Sequence, residues 1–186
     1  MINRGLITFL LWLLIGNVCA HELQANRLTL VLRERNHLSL TFFINYTNAL
    51  YRALAAQRTF QEFVLIYSAM PPQEFQKELL RAQLKFKTAT RLSLSTGQEA
   101  PAKNWIWPDP AKVQMMLQER AMQAMVAPDQ HTHETALEIR AELTSERDIS
   151  ALKISLPDEF QSVLVVSYQP SQTWVSPKTL STIIKF

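Results

Sequence analysis

One cysteine and three glycines in 186 residues is a short supply of both. Phosphate-cradling loops and dinucleotide fingerprints need several glycines within a few positions. Gly5, Gly16 and Gly97 are scattered, so neither motif can form. A lone thiol, Cys19, cannot build a CxxC metal site, a redox pair or a disulfide framework. The serine elbow GxSxG and the zinc signature HExxH are also missing, and no pair of carboxylates is singled out by its spacing. Enzyme is therefore the less expected class. Charge of one sign is not in excess either. Nineteen Lys and Arg stand against sixteen Asp and Glu, for a net charge of +3, too small an imbalance to argue for nucleic acid. With 47% hydrophobic and 19% charged residues, the chain reads as globular rather than disordered.

The first twenty residues have the layout of an export signal. Arg4 supplies the positive start, Leu6 to Ile15 the apolar run, and Val18-Cys19-Ala20 a small residue at the cut. The run is well short of the roughly 20 apolar residues that span a bilayer. Cleavage at Ala20-His21 is expected to leave one soluble extracytoplasmic domain, residues 21–186, in the periplasm or secreted. Cys19 would be removed with the signal, so stability must come from a packed core. No later stretch is long and apolar enough to be read as a transmembrane segment.

Leu28, Leu30 and Leu32 alternate with polar or edge positions, Arg33 to His37 break the pattern, and Leu38, Leu40 and Phe42 resume it. This reads as a β-hairpin with one buried face. His37 falls at or beside the turn and is expected to be exposed. Thr47-Asn48 fits the cap of a short helix to Ala55, and Thr59 with Glu62 fits a capping box for a second. Pro71-Pro72 opens a third to about Phe86, with Phe75, Leu79, Ala82 and Phe86 at helical spacing. Asp109-Pro110 opens a fourth to about Val126. Strands are expected at 91–96, 105–107, 136–141, 149–156, 163–168 and 180–186. The order predicts an α+β fold: an antiparallel, β-sandwich-like sheet with a helical insertion between the N-terminal hairpin and the C-terminal strands.

The residues with ligand chemistry are few. His21, as the new amino terminus, would offer an amine and an imidazole in one chelate ring. His131 and His133, two apart, would share a face in an extended segment. Three such nitrogen donors suit copper, with zinc or nickel as alternatives. The competing reading leaves His21 at a mobile terminus and the pair in a solvated loop. Met115, Met116, Met122 and Met125 crowd one predicted helix and read either as core filling or as soft thioether ligands. Trp105 and Trp107 share a face if extended. They fit the rim of a core better than a stacking platform, and Trp174 is a third candidate. Lys77, Arg81 and Lys85 form a basic stripe, read as a solvated helix face.

An alanine-ending signal followed by His21-Glu22, the hairpin Leu28 to Phe42, the helix-then-strand from Phe75 to Leu94 and the strand Val163 to Tyr168 together resemble the exported soluble region before the membrane part of HupE/UreJ-type proteins. That resemblance implies handling of nickel or another metal, a role carried in that family mainly by membrane helices that this chain lacks. The terminal histidine resembles the start of CopC-like copper carriers, which are all-β where this chain has a helical middle. The sequence thus leads to a soluble periplasmic binding protein, with a divalent metal, preferably copper, on His21, His131 and His133. The alternative is a non-metal interaction module that meets an envelope or membrane protein partner through a sheet edge or its tryptophan face.

Overall fold

The alternating leucines pair as their spacing requires. The computed structural model describes residues 26–126 and 136–170. Within it, β1 (Asn26–Glu34) and β2 (His37–Asn45) form the antiparallel hairpin. Leu28 faces Phe42, Leu30 faces Leu40 and Leu32 faces Leu38 across it. β5 (Ala136–Thr144) adds to the other side of β2 and extends each row: Ile139 beside Phe42, Ala141 beside Leu40, Leu143 beside Leu38. A slip of one residue would turn every one of these side chains to water, so the apolar pattern fixes the register.

β4 (Lys103–Ile106) closes one edge of the sheet against β5, and β7 (Val163–Tyr168) closes the other against β1. The order is β4-β5-β2-β1-β7. All neighbours are antiparallel except β7, which runs parallel to β1 with Asn26 opposite Val163. A second, two-stranded sheet pairs β3 (Arg91–Leu94) with β6 (Leu152–Ser155). The architecture is α+β, mostly antiparallel, with the helices inserted after the N-terminal strands.

Among the described residues three helices follow the hairpin, α1 (Tyr46–Leu54), α2 (Phe60–Ser68) and α3 (Pro72–Ala89), and a fourth, α4 (Pro110–Val126), lies between β4 and β5. Their starts obey local chemistry. The Asn45 side chain, rather than Thr47 or Asn48, caps α1 by accepting from the Asn48 N–H at 3.1 Å. Thr59 and Glu62 form the reciprocal capping box of α2, and the backbone and side-chain hydrogen bonds from Thr59 hold the Glu62 carboxyl below its ordinary range. Asp109 accepts from the Lys112 N–H at 3.0 Å at the start of α4. Two side-chain amides, the first on a buried residue, then join α4 to the end of α2: Gln114 donates to the Met70 carbonyl at 2.7 Å and Gln118 to that of Ser68 at 3.2 Å.

Helices and small sheet share one core with the inner face of the large sheet. Its centre is aromatic. Phe160, fully buried in the short helical turn Asp158–Phe160, lies 5.0 Å from Phe86 of α3 and 6.1 Å from Phe42 of β2, ring centre to ring centre. Trp105 stacks on Phe42 at 5.8 Å and on Trp107 at 5.1 Å, and its indole N–H donates to the Ala102 carbonyl. The tryptophan pair therefore closes the rim of the core, as its spacing suggested. Trp174 and the strand expected at 180–186 lie outside the described residues.

Two polar contacts hold the turn that carries Phe160. The Asn26 side chain donates to the Phe160 carbonyl at 2.6 Å and accepts from the Asn45 N–H at 2.7 Å. Lys85 of α3 meets the Glu159 carboxylate at 2.6 Å. Burial alone would push the Glu159 carboxyl up. The Lys85 hydrogen bond, the backbone N–H of Glu159 and the lysine charge outweigh it, so the carboxyl titrates below its ordinary range. A carboxyl that is more acidic folded than unfolded adds stability above its unfolded pKa and loses it as pH falls through the folded value. Lys85→Met should therefore destabilise most at neutral pH, and the gap from wild type should narrow as acid protonates Glu159. Urea unfolding at neutral pH and below the carboxylate range checks this. An unchanging gap would show that Lys85 acts through its aliphatic stem alone.

Candidate functional site: the open sheet face and the β7 edge

An antiparallel sheet covered on one face leaves the other to solvent. The outer face here carries Arg27, Thr29 and Val31 of β1, Ser39, Thr41 and Phe43 of β2, and Glu138, Arg140 and Glu142 of β5. Its polar members are largely spent on one another. Arg140 pairs with Glu138, Asn104 donates to Glu142 at 2.9 Å, and the His37 Nε2 lies 4.0 Å from the same carboxylate. His37, expected at or beside the turn and exposed, does lie directly after the turn, as the first residue of β2, but is half-buried. Arg27 lies over the Phe43 ring at 4.8 Å.

The two edges of the sheet differ. β4 has Lys103 at its start, a left-handed backbone at Asn104 (φ 51°) and a shifted register against β5, all of which blunt an edge against further pairing. β7 has none of these devices. It is six residues of Val-Leu-Val-Val-Ser-Tyr with no charge, bulge or internal proline. Leu164 is 58% exposed, Val165 45%, Val166 39% and Tyr168 53%. No strand among the described residues pairs with its outer edge.

Each flank of β7 opens onto a cleft. On the core side, Leu30, Leu38, Ile149, Leu152, Ile154 and Val165 line an apolar cleft of about 390 Å³ between the large sheet and the small one. On the outer side, a cleft of about 710 Å³ runs over Val31, Thr41, Phe43, Ile106 and Tyr168. A third, of about 890 Å³, lies between α2 and α3 and is lined by mixed charges, among them Arg58, Glu62, Lys77 and Glu78.

The sequence-derived ligands are distributed differently. His21, His131 and His133 lie outside the described residues. Among the described residues, no three His, Cys, Asp or Glu side chains gather as a metal site would need. The methionines divide. Met116 packs against the core, but Met115, Met122 and Met125 are 52%, 59% and 72% exposed. The core reading of those three is thus overturned, because α4 turns Val113, Leu117 and Ala121 inward and the three methionines off that stripe. The basic stripe on α3 is solvated as expected, although Lys85 is engaged by Glu159 and Arg81 lies 3.4 Å from Glu78.

One buried polar group stands apart from the three clefts. Tyr46, at the start of α1, is fully buried against Phe86. Burial raises its phenol well above the ordinary value, against a weaker opposing pull from the nearby Gln83 side chain. The hydroxyl makes no hydrogen bond among the described residues and lines none of the three clefts. An unpaired buried hydroxyl costs stability rather than adding to it. Tyr46→Phe should therefore leave the fold intact and stabilise it by up to about 1 kcal/mol, read from urea or thermal unfolding. A loss of about that size or more would reveal a partner for the hydroxyl.

Comparison of the chain with protein-family models, with curated proteins and with solved structures finds no match. No helix among the described residues is long and apolar enough to cross a membrane.

Proposed function

We propose that this chain is an interaction module of the cell envelope that takes an extended, apolar strand of a protein partner onto the free edge of β7. The observation that carries the reading is the row of exposed Leu164, Val165, Val166 and Tyr168 on an edge with no protecting device. Strand addition draws its affinity from main-chain hydrogen bonds and its specificity from pockets for alternate side chains. An incoming strand would alternate between the apolar cleft at Ile149 to Ile154 and the outer cleft beside Tyr168. The other edge is blunted, so the partner would be received on one side only.

A photo-crosslinking residue at position 164 or 166, introduced in the native host, should give a discrete heavier adduct with one partner protein. The same residue at Lys153, exposed on β6, should not. Adducts confined to the chain itself, or equal adducts from the control position, would overturn the reading.

A second reading rests on the methionines. Copper held by His21, His131 and His133, with zinc or nickel as substitutes, gains support from the outward thioethers of Met122 and Met125, because soft donors standing in solvent a few residues before a histidine pair in the sequence suit a copper protein. Titration of the chain beginning at His21 should show tight Cu(II) binding and weaker Zn(II). One extra residue ahead of His21 blocks the amine chelate and should weaken the copper site. Equal affinity with and without that residue would remove the terminal chelate.

A further inference from the structure

The outward face of α3 combines two features that do not belong together on a helix that only covers a core. Leu80 and Leu84, one turn apart, are 56% and 62% exposed. Lys77 lies one turn before them and Lys87 one turn after. Both lysines are exposed and have no ion pair among the described residues. Glu74 and Glu78 line the cleft toward α2, which Lys77 also borders, and Glu78 is held there by Arg81. The inward side, Phe75, Leu79, Ala82 and Phe86, is committed to the core. An 18-residue helix is about 27 Å long. The result is a ridge with an apolar middle and cationic ends.

We propose that this ridge docks the protein on an anionic phospholipid surface. Charge complementarity selects the partner. Two exposed lysines set about three helical turns apart match a fluid surface whose anionic headgroups move to meet them, and each cation near such a surface adds measurably to affinity. The two leucines add apolar contact at the headgroup boundary, as in helices that lie on a membrane rather than cross it. A folded acidic protein fits less well. Leu80 and Leu84 stand on a convex ridge and line none of the three clefts, so a rigid partner would have to supply the whole of their concave surroundings.

The test is co-sedimentation of the chain from His21 onward, which retains every described residue, with phosphatidylcholine vesicles that contain or lack phosphatidylglycerol. Binding should require phosphatidylglycerol and fall with added salt. The pair K77E/K87E should lower the partition coefficient at least about tenfold, and L80Q/L84Q should lower it while leaving the salt dependence in place. The charge-matched control K112E/K153E, on exposed residues of α4 and β6, should change it little. Circular dichroism and thermal unfolding verify that the exposed substitutions leave the fold intact. The proposal is overturned by equal binding to neutral vesicles, by no binding with phosphatidylglycerol present, or by equal losses in the two charge-reversal pairs. Retention on an acidic protein without vesicle binding would reassign the ridge to a protein partner.

Discussion

The placement of β7 depends on the burial of one side chain. Phe160 sits in the aromatic cluster with Phe42 and Phe86 and thereby joins β2, α3 and the lead-in to β7. Because its carbonyl is bonded to Asn26 and its neighbour Glu159 to Lys85, the chain leaves the core at a fixed point beside the start of β1. Only a parallel course is then open to it. Val163 falls opposite Asn26, and the two strands run on together to Val31 and Tyr168. An antiparallel sheet thus acquires one parallel edge strand through packing that lies outside the strand itself. Asn26 serves both ends of the arrangement, since it also bonds the Asn45 N–H where β2 passes into α1.

This anchoring explains why β7 can be so exposed and still be ordered beside β1. A six-residue edge strand with half its surface in water gains little from burial, since apolar contact contributes in proportion to the area removed from solvent. Its main-chain bonds to β1 and the fixed entry at Phe160 hold it instead. An edge that is apolar, uncharged and unblunted invites aggregation unless something covers it. The contrast with β4, where Lys103 and the left-handed Asn104 spoil the edge, shows that the described residues carry the protective device on one side of the sheet and not on the other.

Much of the architecture could be read from the residues because local chemistry and tertiary packing agree. The hairpin leucines, the Thr59–Glu62 box, the Pro72 and Pro110 helix starts and the run of late strands each carry a signal that packing does not override. The failures have physical causes. Asn45 took the α1 cap from Thr47 because β2 runs directly into the helix, leaving Asn45 as the last extended residue. Methionine patterns mislead on α4 because an apolar residue contributes equally to a buried or an exposed stripe. Val113, Leu117 and Ala121 at regular four-residue steps decide which face turns inward. The parallel pairing of β7 was invisible, since it follows from where Phe160 is held rather than from any pattern within residues 163–168. The openness of that strand did have a signal, in an apolar run that fails to alternate, but such a run reads equally well as a fully buried strand.

The interior argues for where function resides. The face of the large sheet that turns inward is filled by rings in contact, from Trp107 through Trp105 and Phe42 to Phe160, Phe86 and Tyr46. Proteins that enclose small molecules leave part of such a face to the ligand. Here the described side chains occupy it, and the three clefts all open to solvent at the periphery. The open surfaces of the described part of the molecule are therefore where the proposed recognition is sought. The two best suited, the β7 edge and the α3 ridge, belong to elements that share no cleft, and the residues that define them are exposed and peripheral to the packing. Substitutions at one should leave the other unchanged, so the two proposed engagements, of a partner strand and of a lipid surface, can be tested apart on the same core.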